Sequence, residues 1–246
     1  MAGGLSEGRF SRQAKALAAL GASQETLSGS FAAVLGAGAL GCAFATQLAR
    51  MGFAGMRIAD FDVVEEVNLH RQILFDESDI GRPKAATAAE KVRAANHSFA
   101  AEAFPEKVDD SNFARFARGA SIVFDASDSV EARYMMDAQC RAAGIPLVIT
   151  AVAGTSGIVI PVARGGASLL DVFPERPGPD DVANVKSHGV FPPVVQLAAA
   201  IALAQGVKIL SGAPPRREIF RFDAAGICRP VSLPPPKGAL SASSAK

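Results

Sequence analysis

Gly36, Gly38 and Gly41 stand in the spacing G-x-G-x-x-G directly after the apolar run Phe31-Ala32-Ala33-Val34-Leu35. Between a strand and a helix, the first such glycine permits a tight turn. The second lets a ligand approach the backbone, and the third lets helix and strand pack closely. The helix start then offers N–H groups and partial positive charge to an anion. Taken alone, this pattern suits NAD, FAD and ATP equally. Asp60 ends the next apolar run, in Asp60-Phe61-Asp62. An acid there accepts hydrogen bonds from ribose hydroxyls, the plain alternative being a capping or loop aspartate.

The residues that follow discriminate among nucleotides. A pyrophosphate needs little beyond the glycine loop, whereas a triphosphate carries more charge and calls for cations. Arg71 lies in Asn68-Leu69-His70-Arg71-Gln72, and Lys84 closes Gly81-Arg82-Pro83-Lys84. A lysine in the first turn of a helix opposes the helix dipole; a bound phosphate would remove that conflict, and a solvated lysine beside Pro83 is the alternative. A further apolar run ends in Asp125-Ala126-Ser127-Asp128-Ser129. Asp125 can hold the turn. Asp128 opens a helix from the ligand edge and suits Mg²⁺ on a triphosphate, with a helix N-cap as its alternative. His70, His97 and His188 have no spaced partners and read as ordinary polar residues.

Composition narrows the classes. The chain has 246 residues, formal net charge +1, no Trp and one Tyr. No global field draws it to nucleic acid, and stacking platforms for single strands are missing. Cys42, Cys140 and Cys228 form no CxxC pair, so a thiolate zinc site is not expected. Met1-Ala2-Gly3-Gly4 leads into charged residues, and the reading is a protein of the reducing cytoplasm. Val190–Leu210 is long and apolar but interrupted by Pro192, Pro193, Gln196, Gln205 and Lys208; it reads as a helix buried against a sheet, with no membrane partner.

These residues must be positioned by alternating strands and helices. Strands are expected at 31–35, 56–59, 98–104, 122–124, 147–151 and 158–161, with helices at 40–51, 84–95, 110–118 and 129–143. That order implies βαβ units and a parallel sheet with ligands at the strand C-termini. The fold class is α/β: a Rossmann-like doubly wound sheet, mostly parallel, with added C-terminal strands. Residues 1–30 read as a helical arm and 31–163 as the nucleotide-binding core. Residues 164–230 read as a crossover loop (164–189), a helix and C-terminal strands of the same domain, with a strand at 218–223. Residues 231–246 read as a disordered tail. The 61–83 loop is long enough to suggest function.

With Arg9-Phe10-Ser11-Arg12-Gln13 before the glycine loop, and the Asp60, Asn68–Gln72, Gly81–Lys84 and Asp125–Asp128 segments after it, the chain resembles the ThiF/MoeB/HesA family, bacterial relatives of the ubiquitin-activating enzymes. The resemblance is continuous over residues 9–163 and looser to 223. It implies ATP and Mg²⁺, adenylylation of the C-terminal carboxylate of a small ubiquitin-like carrier ending in Gly-Gly, and a homodimer. By the same resemblance, Asp60 would hold the ribose with Asp62 beside it. Asn68, Arg71 and Gln72 would line the phosphates, Lys84 would neutralise them and Asp128 would hold Mg²⁺. Arg12 would be an arginine finger reaching the partner protomer's site.

The chain departs from the family pattern. Ser168 and Asp171 stand where the first zinc CxxC pair would fall, the second pair is missing, and Val185 replaces the cysteine used for covalent transfer in some members. Ser129 stands where an Asn is usual. Cys42 and Cys140 read as core. Two other classes share part of the pattern. A nicotinamide-dependent dehydrogenase leaves Arg12, Arg71, Lys84 and Asp128 unexplained, and a catalytically reduced nucleotide-binding scaffold has no need of all these cations.

Overall fold

In the computed structural model, which describes residues 8–178, 185–226 and 228–235, the alternation is realised almost throughout. The elements in order are α1 (Ser11–Ala18), α2 (Gln24–Ser28), β1 (Phe31–Leu35), α3 (Ala39–Met51), β2 (Gly55–Ala59), α4 (Lys84–Ala95) and β3 (Ala100–Phe104). Then come α5 (Phe113–Phe116), β4 (Ile122–Asp125), α6 (Val130–Ala143), β5 (Leu147–Ala153), β6 (Ser156–Val162), α7 (Leu169–Val172) and α8 (Val185–His188). The last are α9 (Pro192–Leu210), β7 (Glu218–Asp223) and β8 (Cys228–Ser232). Among the described residues the strands form one sheet in the order β3-β2-β1-β4-β5-β6-β7-β8. β1 to β5 pair in parallel, and β6, β7 and β8 extend the sheet antiparallel. The doubly wound α/β class with added C-terminal strands is therefore what the chain forms.

Strand side chains alternate between two cores. Ile122 and Phe124 of β4 face the side covered by α3 and α9, while Val123 faces the side covered by α5 and α6. The Phe44 ring of α3 lies 5.1 Å from that of Phe124. Burying each such large side chain contributes about 1.5–3 kcal/mol. α9 meets the specification of a membrane-crossing helix by length and composition, yet its own Val194, Val195, Ala198, Ala199, Ala202, Leu203 and Val207 are buried. Its Gly206 lies where a Cβ would come within 2.7 Å of the Phe124 ring, so the missing side chain lets helix and sheet close up.

The strand order reverses between β1 and β4. Connections after these two strands diverge to opposite faces and leave a crevice at their carboxyl ends. Gly36 follows β1 and Asp125 ends β4 on that crevice, joined by the Ala126 N–H donating to the Leu35 carbonyl at 2.8 Å. At the opposite end of the sheet, the Gln13 and Gln24 side-chain amides both donate to the Met51 carbonyl at the end of α3, at 2.7 and 3.1 Å. Buried Leu17 and Leu27 complete the seam, so the described part of the N-terminal arm is two helices folded onto the core.

Three expectations need correcting. The 164–189 crossover is not an element-free loop. Ser168 and Asp171 form a reciprocal capping box on α7, and Val185 opens α8; residues 179–184 lie outside the described ones. The tail starts later than 231, because Val231 and Ser232 pair with Ile219 and Glu218 in the last strand; residues 236–246 of that tail lie outside the described ones. The helix expected at 110–118 shortens to Phe113–Phe116, where the Asn112 and Asp109 side chains turn the chain before it.

Candidate functional site

The glycine turn is built to leave backbone open. Gly36 has φ +95°, and a Cβ on it would sit 2.9 Å from the Ala126 carbonyl oxygen. A Cβ on Gly41 would collide with the Gly36 carbonyl, so only glycine lets α3 start this close to β1. Gly38 differs from both: a Cβ there would meet nothing nearer than Gln72 Nε2 at 3.9 Å. It is the N-cap of α3 and supplies no side-chain cap to the first-turn amides of the helix.

Asp60 braces this turn. Its Oδ2 accepts from the Ala37 N–H at 2.7 Å and its Oδ1 from the Asp62 N–H at 2.9 Å. Burial pushes its carboxyl up, and these backbone donors and Lys84 pull against that. A carboxylate has about four lone-pair sites, so acceptor capacity remains for ribose hydroxyls.

Residues 61–83 are ordered by their own contacts. Val64 and Phe75 are buried, and Val64 exchanges hydrogen bonds with the Arg82 carbonyl and the Gly81 N–H. Lys91 of α4 pairs with Asp76 and buried Asp79, while Arg82 bridges Asp79 and Glu90. Lys91 and Ser78 draw the Asp76 carboxyl down to about 2. This frame carries the Asn68–Gln72 segment to the crevice. Asn68 is buried and its Oδ1 accepts from Arg71 Nη2 at 2.8 Å. Gln72 is buried at the roof of the glycine turn, with its amide oxygen lacking any partner. Burial draws the Arg71 guanidinium down and the charge of Asp128 opposes it, so the two groups lie in each other's field.

Lys84 begins α4 as read from the sequence. Its side chain is only 8% exposed, and its Nζ lies 3.4 Å from Asp62 Oδ2. Asp128 is exposed, and it does not cap α6: Ser129 does, its hydroxyl accepting from the Ala132 N–H at 3.2 Å. That removes the capping alternative for Asp128. Arg12 is not brought to this crevice. It lies on α1, beside the far end of α3, about 20 Å along a 13-residue helix from the glycine turn. Cys42 and Cys140 are buried, their thiols pushed up to about 12 by burial, as befits core residues. Cys228 is exposed. Among the described residues no three His, Cys, Asp or Glu side chains gather to hold a metal ion. The Ser168–Asp171 segment is instead clasped to β7 by Arg217, whose Nη2 lies 2.8 Å from Asp171 Oδ1.

Gly36, Gly38, Gly41, Asp60, Asp62, Asn68, Arg71, Gln72, Lys84 and Asp128 thus converge on one crevice. The glycine turn, with Gln72 Nε2 as a donor 3.9 Å from the Cβ position of Gly38, fits a phosphate chain, and the cations fit its charge. A single exposed carboxylate fits Mg²⁺, which keeps several waters and takes one or two carboxylates plus phosphate oxygens.

The model of the ThiF family matches residues 10–234. The chain belongs to the ThiF family. This ThiF-family chain is 35% identical over 187 residues to the SAMP-activating enzyme E1 of Haloferax volcanii, covering 76% of itself and 69% of that protein. It is 34% identical over 223 residues to the sulfur carrier protein ThiS adenylyltransferase of Bacillus subtilis, covering 88% of itself and 65% of that protein. It therefore spans about two thirds of the length of each. A crystal structure of E. coli MccB with ATP superposes with a TM-score of 0.76 at 18% identity, over 94% of this chain and 72% of that one. That likeness concerns the fold.

Two contributors were not singled out in the sequence. Arg133 lies against Asp125, and Lys91 holds the long loop. Arg133 follows Asp128 at the spacing of the first turns of α6, a signal that becomes legible only once the helix start is fixed.

Proposed function

We propose that this protein is an ATP-dependent adenylyltransferase that activates the C-terminal carboxylate of a small ubiquitin-like carrier, releasing pyrophosphate. The observation that supports the reading is a glycine turn with Gln72 beside Gly38, Lys84 paired to Asp62, and Arg71 and Asp128 in each other's field. A hydride-transfer site would have no use for this charge set. Relatives named for SAMP activation and for ThiS adenylylation support it.

Each residue then has a task. The first-turn amides of α3 and the bare backbone of Gly38 receive phosphate oxygens. Asp60, with Asp62 beside it, accepts the ribose hydroxyls. Asn68 and Gln72 orient the phosphates with Arg71, and Lys84 balances the charge that grows on the departing pyrophosphate. Asp128 would hold Mg²⁺, which when bound supplies further charge neutralisation on the phosphates. No side chain need act as nucleophile, because the carrier's own carboxylate attacks; positioning and charge do the rest. Arg12, remote from the crevice of its own chain, acts across a homodimer on the partner's site. The family resemblance gives the carrier a Gly-Gly end, and the compartment is the cytoplasm.

The test is ATP–pyrophosphate exchange with candidate Gly-Gly carriers. Exchange with one of them, abolished by Asp128→Ala and by Arg71→Ala while the fold survives, is expected. No exchange with any carrier together with no ATP binding overturns the reading. Full activity in either variant removes that residue from the site.

A further inference from the structure

Asp128 does not set its own direction. It is exposed, whereas the residues just before it are gripped from below. Asp125 ends β4 fully buried, and its Oδ1 accepts from the Ser127 N–H at 2.9 Å and the Ser127 hydroxyl at 2.6 Å. Arg133 of α6 reaches back, and its Nη2 donates to the Ser127 carbonyl at 2.7 Å. Its Nε lies 3.7 Å from Asp125 Oδ2, and neither of these two buried atoms has a hydrogen-bond partner.

Ser127 is thus held at its N–H, its hydroxyl and its carbonyl. That carbonyl belongs to the peptide bond leading into Asp128. Fixing it fixes the point from which the Asp128 side chain departs, and so which part of the crevice the carboxylate reaches. Burial pushes the Asp125 carboxyl up, and the charge of Arg133 opposes that. The arginine therefore serves two ends. It offsets a charge inside a dry turn, and it pins the last peptide before the exposed acid.

We propose that Arg133 is the positioning residue for Asp128: through the Ser127 carbonyl and Asp125 it aims the Asp128 carboxylate at the metal position over the glycine turn. The inference rests on the adenylylation reading, since it assigns a device for holding Mg²⁺ there. Groups that orient a metal ligand from behind typically change metal affinity roughly 10- to 100-fold when removed. The effect should fall on Mg²⁺ and pass through Asp128 alone.

Removing Arg133 by itself strands a buried carboxylate and can cost the fold. The informative variant is therefore the neutral pair D125N/R133M. Asn keeps the oxygen that accepts from Ser127, and Met keeps much of the arginine stem. R133K is the companion, keeping charge but losing the fork that spans Ser127 and Asp125. The readout is the rise in melting temperature produced by ATP as Mg²⁺ is titrated, with and without D128A. We expect both variants to melt near wild type without nucleotide. D125N/R133M should need roughly tenfold more Mg²⁺ for its half-maximal rise, and R133K should fall between. In the D128A background the difference should vanish. A folded D125N/R133M with the wild-type Mg²⁺ midpoint overturns the inference, as does a shift that persists in D128A. A wild-type protein that gains nothing from ATP at any Mg²⁺ removes the adenylylation reading, and the inference with it.

Discussion

Replacing Lys84 by methionine separates stability from nucleotide handling, because the two should move independently. On the stability side the terms are small. A cation in the first turn of a helix costs about 0.3–1 kcal/mol against the dipole, and methionine relieves this. The ion pair lost is with Asp62, which is 56% exposed, so it contributes about 0–1 kcal/mol. The two nearly cancel, and the melting temperature should stay within about 3 °C of wild type. On the nucleotide side the term is large. The Lys84 side chain is 8% exposed and its ammonium lies beside Asp62, with Asp60 also in its field; without it these acids repel an incoming phosphate. A unit charge about 4 Å from a phosphate oxygen is worth about 4 kcal/mol at an effective dielectric near 20. Solvent entering the open crevice leaves about 2.7 kcal/mol, close to a hundredfold in kcat/KM. ATP–pyrophosphate exchange at several ATP concentrations, with melting curves alongside, checks both sides. A folded variant exchanging within about threefold of wild type would refute the assignment of Lys84 to the phosphates, since a buried cation facing the ligand cannot be that cheap to lose.

Four further outcomes follow from the same geometry. Gly41→Ala should lose on the order of 3 kcal/mol in a melting experiment, because the new methyl meets the Gly36 carbonyl and backbone cannot rotate away; Gly38→Ala, whose new methyl meets only Gln72 Nε2 at 3.9 Å, should melt normally and lose ATP protection instead. Arg217→Met should cost about 2 kcal/mol, as it removes a charge-assisted fork on Asp171. Arg217 holds the Asp171 carboxyl below its ordinary value of 3.8, so that contribution is complete above 3.8 and is lost as pH falls through the lowered value. The melting gap between wild type and Arg217→Met should therefore be flat above about pH 5 and close in acid. Mixing inactive Arg12→Ala and Asp128→Ala proteins should restore up to about a quarter of wild-type exchange, since about half of all dimers are mixed and each mixed dimer carries one intact site of two; no recovery would place Arg12 outside the partner's site. A thiol reagent should label one cysteine, Cys228, in the native protein and three after denaturation, and Cys228→Ser should leave exchange unchanged.

The sequence was most legible where one local signal dominated. Lys84–Ala95 is the helix expected to the residue, because Pro83 sets its start and nothing inside it breaks the pattern. Phe31–Leu35 and Glu218–Asp223 are likewise as read. β8 was missed because it is exposed along its whole length and contains Pro230, so neither alternation nor composition marks it. α7 was missed because four residues carry no periodicity and its capping box uses Asp171 rather than a Glu. In the crevice the cations were readable from type and spacing, since charge on a short loop is visible in one dimension. Their supports were not. Asp79 looks like an ordinary loop acid until Lys91 closes over it, and Arg133 looks like a surface residue of α6 until the chain turns back to Asp125.

Asp60 has a consequence for redesign. The same carboxylate that we propose for the sugar hydroxyls also clamps the Ala37 amide inside the glycine turn. On the proposed reading, sugar preference and phosphate grip are therefore not separable modules. Exchanging Asp60 for a residue suited to a modified ribose would loosen the turn in the same step. An engineer wanting a different nucleotide would do better to rebuild from the rim, at exposed Phe61 and Asp62, and leave residue 60 in place.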